Sequence, residues 1–372
     1  MKKLPDEFLR VLIAASGSGG HIFPALAMAR ALEKKDPHVV ILFVGSGRPL
    51  EEALIDAAGY ERVTIPVSQI RNKGFSGLLK FILNFPSAWF ATSKIFSDFK
   101  PHVTVGVGGY ASVLPIVMSW WYGTPSWVHE AELKTGMANE VNVFFANKVS
   151  LAFPGAKIPY KEKHVESGHP IREEIIKIAE TKKVTPLPRN ILVVGGSQGA
   201  NGLDWLVEAA VKQLPRATFD LIHQSRPENV TRLAHSYTES GVRAHVVPFI
   251  NDMADAYAWA DVVISRAGAG SVMEIGALNL PSILVPIPIP GIHQEENAKY
   301  LEEAGKAITV HEGREDSLSK MVEALRQLMT PKSYLEMKKK PTLARNLAAA
   351  DTIADGILAL VQHASVKENL SK

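Results

Sequence analysis

Three glycine-rich turns, each set between an apolar run and a helical pattern, constrain what this 372-residue chain can fold into. The first is Ser16-Gly17-Ser18-Gly19-Gly20-His21, after the run 11–15. The second is Gly195-Gly196-Ser197-Gln198-Gly199-Ala200, after 191–194, and the third is Arg266-Ala267-Gly268-Ala269-Gly270-Ser271, after 262–265. A buried strand, a glycine turn and a helix N-terminus together make a place for phosphate, because free backbone N–H groups and the helix dipole point at the anion. Two such halves imply a phosphorylated ligand held in a cleft between domains.

The same alternation runs through the chain. Strand-like runs at 11–15, 39–44, 103–107 and 126–128 are separated by helical patterns at 24–34, 50–58 and 113–121. The order restarts at 191–194, with strands expected at 218–222, 243–248, 262–265 and 282–286. This predicts an α/β fold with parallel sheets and helices on both faces. Pro24 is expected in the first turn of its helix, where a missing N–H costs nothing. A Gly-His-Pro segment and a Lys-, Thr- and Pro-rich stretch at 181–189 mark the change of domain. The expected division is 1–167, 168–345, and a C-terminal helix at 346–372 that packs back on the first domain.

Composition removes several functional classes. The net charge of +3 gives no case for nucleic acid. Cysteine is absent, which rules out disulfides, thiolate metal sites and cysteine nucleophiles. Asp6, Glu7 and Arg10 interrupt any secretory signal, and Asn84, Pro86 and Pro115 cut the longest apolar stretches, so a cytosolic protein is expected. Neither Asp-x-Asp nor His-Glu-x-x-His occurs, so no metal and no cofactor are expected. A diphosphate would then be balanced by helix N-termini and Arg172.

The loops differ in specificity. The first lacks the third glycine of a dinucleotide fingerprint, and none ends in the Lys-Ser/Thr of a P-loop. The third leads into Val272-Met273-Glu274, where a carboxylate can accept from both vicinal hydroxyls of a ribose or simply complement the helix dipole. Gln294 suits sugar hydroxyls or a capping role. His21 is a candidate general base, with His129 and Glu130 as rivals. Residues 70–96 contain no acid and carry Phe75, Leu79, Lys80, Phe81 and Trp89, the make-up of an interfacial membrane surface or of a buried helix face. The lack of acids favours anionic lipid.

Taken in order, these segments resemble the MurG family of bacterial glycosyltransferases. The resemblance rests on residues 16–25, Gly108-Gly109-Tyr110-Ala111-Ser112, His129-Glu130 and Gly168-His169-Pro170-Ile171-Arg172. It continues through 195–200, Phe249-Ile250-Asn251-Asp252-Met253, Ser265 through Glu274, and His293-Gln294 with Asn297. It implies a GT-B architecture of two Rossmann-like domains facing a cleft. It also implies inverting transfer of N-acetylglucosamine from UDP-N-acetylglucosamine to the C4 hydroxyl of a muramyl-pentapeptide carried on undecaprenyl diphosphate. The work would be done peripherally at the cytoplasmic face of the inner membrane, in peptidoglycan synthesis.

By the same resemblance, Ser197, Ala269, Gly270, Ser271, Val272, Met273 and Glu274 hold the diphosphate and ribose. Arg172 places the nucleotide, Ile250 meets uracil and Gln294 meets the sugar, while Ser18, Gly19 and Gly20 reach the donor from across the cleft. The acceptor lies near Gly19, Gly20, His21, Gly108, Gly109 and Tyr110. The chain departs from the family in three places. Glu132 stands where an asparagine is usual, among the expected donor contacts. His169 replaces the asparagine of Gly-Asn-Pro, and Ser16 and Ser18 replace Gly and Thr. A GT-B enzyme or sugar-nucleotide epimerase with a soluble substrate, and a non-catalytic binder of nucleotide sugars, are the competing readings.

Overall fold

A computed structural model describes residues 8–17, 19–67, 74–196, 199–215, 219–289 and 293–371, with the side chains of 74–83, 365 and 367–371 outside that description. The chain divides into two compact units, 1–172 with 348–372 and 173–347. In the first unit β1 (Arg10–Ala14), α1 (Gly19–Lys35), β2 (Val40–Gly45), α2 (Pro49–Ala57), β3 (Glu61–Thr64) and α3 (Gly74–Phe99) come first. Then follow β4 (Val103–Gly106), α4 (Val113–Tyr122), β5 (Ser126–Glu130), α5 (Met137–Phe145), β6 (Lys148–Leu151) and β7 (His164–Val165).

These strands form one parallel sheet in the order β3-β2-β1-β4-β5-β6-β7. Ile13 of β1 pairs with Phe43 on one side and Val105 on the other. The apolar run 11–14 of β1 has a physical cause, since both sheet faces are covered. Val11 and Ile13 pack with Met28 and Leu32 of α1, and Leu12 and Ala14 pack with Phe96 and Phe99 of α3. The C-terminal helix, numbered α14 below, adds Ile353, Ala354 and Ile357 to the α1 side. Its Gly356 lies against Trp127 so closely that a Cβ there would sit 2.3 Å from the indole.

The second unit begins with α6 (Glu173–Thr181), β8 (Asn190–Val194), α7 (Asn201–Val211), β9 (Asp220–Gln224), α8 (Val230–Glu239), β10 (Arg243–Val247) and α9 (Met253–Trp259). It continues with β11 (Val262–Ser265), α10 (Ala269–Ala277), β12 (Ser282–Leu284), α11 (Gln294–Glu303), β13 (Ala307–Thr309), α12 (Ser317–Leu328) and α13 (Pro331–Lys338). The chain then returns to the first unit as α14 (Ala349–Ser371). The second sheet is also parallel, in the order β10-β9-β8-β11-β12-β13. In each sheet the strand order reverses beside the first strand, between β1 and β4 and between β8 and β11. Ligands of open α/β sheets bind at such reversals, beyond the strand C-termini. The first glycine turn follows β1, and the other two follow β8 and β11.

The structure moves several expected boundaries. α1 starts at Gly19, so Gly19 and Gly20 belong to its first turn and Pro24 to its second. Pro24 therefore has no N–H to donate to the Gly20 carbonyl. The division between units falls after Arg172 rather than after 167. Strands β3, β6, β7 and β13 are short, and β3 is polar and half-exposed, so none stands out as an apolar run. The expected strand start at Thr218 lies outside the described residues.

Candidate active site

The β8/β11 reversal gathers the second and third glycine turns. Gly268 precedes α10 in extended backbone, and the first bond of that helix runs from Val272 N–H to the Gly268 carbonyl at 3.0 Å. The amides of Ala269, Gly270 and Ser271 come before it, where a helix offers no acceptor of its own. Glu274 is buried one turn further on, and the Tyr257 hydroxyl donates to its Oε2 at 3.2 Å. Gln294 Oε1 accepts from two loop amides, Ala267 and Ile287, each at 3.1 Å. Its oxygen is thus used inside the protein, which leaves the Nε2 amide to donate to a ligand.

Two residues here escaped the sequence reading. Arg266 is buried and donates to the carbonyls of Val285 and Pro286, with Glu312 2.5 Å from its guanidinium. It ties three strand ends together and is no free cation for phosphate. Gln224, at the end of β9, bonds the turn at Gly195 and Gly196 and also reaches Pro248, just before Ile250. Ser197 lies outside the described residues.

The β1/β4 reversal of the first unit builds a second cluster. Gly17, at φ +110°, donates its N–H to Glu51. Glu51 is buried and accepts as well from the Ser46 amide, the Ser46 hydroxyl and the Gly47 amide, so it binds this turn to the one after β2. Ser16 has ordinary backbone geometry and its Oγ accepts from the Ala111 amide at 3.2 Å. Gly109, at φ +76°, comes so near that a Cβ would sit 2.3 Å from the Ser16 carbonyl oxygen. A Cβ on Gly108 would lie 2.9 Å from Nδ1 of His21. The two glycines let the turn after β4 close over Ser16 and the imidazole.

His21 is half-buried, with its Nδ1 shut off from solvent. Burial lowers its pKa, against a hydrogen bond to the Val107 carbonyl that raises it. A neutral imidazole is the form that takes up a proton. Arg172 stacks over the Phe23 ring at 4.5 Å, and Arg48 lies over Tyr110 at 5.7 Å. Ser18 lies outside the described residues.

The two rival bases are placed differently. His129 is fully buried, with Nδ1 3.0 Å from the Ser150 hydroxyl and Nε2 3.3 Å from Nδ1 of His169. Burial lowers its pKa, and so do the nearby imidazoles of His169 and His21. Burial also pushes His169 down to about 3. Glu130 is buried and turned into its own loop, where it accepts from the amides of Glu132 and Gly136 and from Asn139 Nδ2. Burial raises it to about 7, in spite of those bonds. Both side chains are committed to internal partners, whereas the His21 side chain is only half-buried.

The stretch at 70–96 falls mainly on α3. Residues 70–73 and the side chains of Phe75, Leu79, Lys80 and Phe81 lie outside the description. Trp89 is half-buried, and Phe90 is 72% exposed. An aromatic chain runs from Phe85 to Trp89 and on to Trp121, and another links Trp120, Phe145, Phe144 and Tyr160. Trp120, Trp121 and Phe144 are all more than half exposed. The apolar surface therefore extends past α3 over the ends of α4 and α5. Among the described residues, no helix is long and apolar enough to cross a membrane.

Two parallel-sheet units, with glycine turns at both reversals and a buried acid behind a helix N-terminus, fit the GT-B architecture, and the family models make it that of a glycosyltransferase. Residues 11–151 match the glycosyltransferase family 28 N-terminal domain and 190–355 its C-terminal domain. The chain is 36% identical over 92% of its length to a Stutzerimonas stutzeri protein, of which it covers 95%. That relative is a UDP-N-acetylglucosamine--N-acetylmuramyl-(pentapeptide) pyrophosphoryl-undecaprenol N-acetylglucosamine transferase. The crystal structure of Acinetobacter baumannii MurG superposes with a TM-score of 0.75 at 27% identity, over 94% of this chain and 99% of that one. A Neisseria meningitidis UDP-GlcNAc 2-epimerase shares the fold, with a TM-score of 0.64 at 14% identity over 94% of this chain and all of that one. The chain belongs to the MurG family of glycosyltransferase family 28.

Proposed function

We propose that this chain moves N-acetylglucosamine from UDP-N-acetylglucosamine to the C4 hydroxyl of the muramyl sugar of an undecaprenyl-diphosphate-linked pentapeptide. The observation that carries the donor half is the α10 N-terminus with Glu274 buried one turn behind it. In this reading the amides of Ala269, Gly270 and Ser271 face the diphosphate, and Val272 and Met273 complete the turn. Glu274 accepts from the ribose hydroxyls, Ile250 meets uracil and Ser197 meets phosphate. Gln294 donates from Nε2 to the sugar. Arg172, Ser18, Gly19, Gly20 and Glu132 add further donor contacts. Glu132, a carboxylate in place of the family's amide, can only accept while ionised, and so suits a hydroxyl. Gly108, Gly109 and Tyr110 line the acceptor side with His21.

The step is a single displacement. The C4 hydroxyl oxygen attacks the anomeric carbon as the bond from that carbon to the UDP oxygen breaks. UDP leaves with the electron pair, the hydroxyl proton passes to His21, and the configuration inverts. The negative charge that grows on the diphosphate meets the leading amides of α10, a preorganised stabilisation that requires no metal. The exposed aromatic rings at the ends of α4 and α5, with Trp89 of α3, support docking on an anionic membrane that carries the acceptor.

The test is transfer of labelled sugar from UDP-N-acetylglucosamine to a short-chain lipid-linked muramyl-pentapeptide, with and without EDTA. Transfer unchanged by EDTA is expected. Loss in EDTA contradicts the metal-free step. Epimerised sugar, still on UDP or released by water, without transfer to the acceptor points to the epimerase reading.

A further inference from the structure

Gln224 is the last residue of β9, and β9 lies between β8 and β10 in the sheet. Its buried side chain reaches both neighbouring strand ends. Oε1 accepts from the Gly195 amide at 3.1 Å, and Nε2 donates to the Gly196 carbonyl at 2.8 Å and, less closely, to the Pro248 carbonyl at 3.4 Å. Both N–H groups and one lone pair of the amide are used on backbone, so the residue is not built as a ligand.

Within the turn the Gly199 amide donates to the Gly196 carbonyl at 3.0 Å. The turn's described residues are Gly195, Gly196, Gly199 and Ala200, and Gly196 and Gly199 have positive φ. A Cβ on Gly199 would lie 2.7 Å from the Arg226 amide, so the turn rests on the backbone that directly follows Gln224. That backbone is pinned in turn, since the Ser225 hydroxyl donates to buried Asp204 at 2.6 Å. Pro248 stands two residues before Ile250.

We propose that Gln224 is a positioning residue that sets the spacing between the phosphate-facing turn after β8 and the uracil-facing loop after β10. The inference rests on the donor reading above. A nucleoside diphosphate must satisfy both loops at once, and linked contacts gain over separate ones only when their separation matches the ligand. Gln224 holds the turn at Gly195 and Gly196 and ties it to the loop at Pro248.

The test uses the full chain with Gln224→Glu and Gln224→Met. Glutamate keeps the acceptor for Gly195 and turns an oxygen toward the carbonyls of Gly196 and Pro248; methionine keeps the volume and loses every bond. Binding of UDP and uridine is measured by calorimetry. Both variants are expected to weaken UDP at least about tenfold while uridine changes less than about threefold, because the turn on the phosphate side loses its tie to the loop after β10. The KM for the sugar nucleotide rises with kcat little changed. Equal losses for UDP and uridine, or UDP binding unchanged, overturn the proposal and leave the donor reading standing. A wild-type chain that does not bind UDP overturns the donor reading and this inference with it. Hydrogen exchange gives a readout free of any folding defect: in the wild-type chain, saturating uridine alone slows exchange at the Gly195 amide, and no slowing there overturns the proposal.

Discussion

His129 and His169 share a hydrogen bond, Nε2 to Nδ1 at 3.3 Å, with both rings buried in the first unit. Where the family carries asparagine, this chain has placed a second imidazole against the first. One nitrogen of the pair must be protonated and the other bare, so the pair fits two neutral rings and resists a positive charge.

Stability should therefore depend on His169 at mildly acid pH. Its folded pKa, about 3, lies below the ordinary value of 6.5, so the unfolded chain binds the proton first. The contribution is complete above pH 6.5 and is lost as pH falls from there toward 3. From pH 7 to pH 5 the loss amounts to about 2 kcal/mol for one such group. Urea titrations at the two pH values should show this fall, and His169→Asn should reduce it while His129 keeps its own share. An identical fall in the variant would clear His169 of the effect.

The acid limb of the rate profile should follow His21. Burial holds its pKa below 6.5, so kcat/KM for the donor should stay level down to that pH and decline only below it. His21→Ala should lower kcat by about 10²- to 10⁴-fold, the usual range for a lost general base, and should abolish the limb. A retained limb with the same midpoint would shift attention to another group.

Two substitutions separate ribose recognition from packing. Glu274→Gln should raise the donor KM about 10- to 100-fold, the loss expected for charge-assisted hydrogen bonds. Tyr257→Phe removes the hydroxyl 3.2 Å from the same carboxylate and should change that KM less than about threefold, because the acid itself remains. Equal effects in kinetics would mean that Glu274 serves the fold alone. Gln294→Glu keeps an acceptor for Ala267 and Ile287 and loses the free amide donor, so it should impair sugar nucleotide binding and leave UDP binding intact. Calorimetry with the two ligands decides it.

The exposed rings should govern lipid attachment. Trp121→Glu and Phe144→Glu each remove a large apolar contact and add a charge that anionic lipid repels. Each should reduce binding to phosphatidylglycerol vesicles by about tenfold or more. The donor KM should not change. Flotation of both variants at wild-type levels would place the membrane contact elsewhere.

The strands most easily read from the residues alone are those buried on both faces, such as 11–14 and 262–265, because a covered parallel strand requires an unbroken apolar run. The glycine turns were legible for a related reason: only certain residues tolerate a left-handed turn or so close an approach as that of Gly109 to Ser16. Short strands with half-exposed residues left no such pattern. The amino-acid sequence by itself thus determined the α/β class, the order of the elements and the places where ligands meet backbone. Which side chains are spoken for was decided only by tertiary structure. The partners of Glu51, Gln224, Gln294 and His129 lie on other strands and turns, and the Ile353–Ile357 face of α14 finds α1 across most of the chain. Hydrogen bonds and packing are short-ranged in space, and a chain read in order does not show which distant residues folding brings within 3 Å of one another.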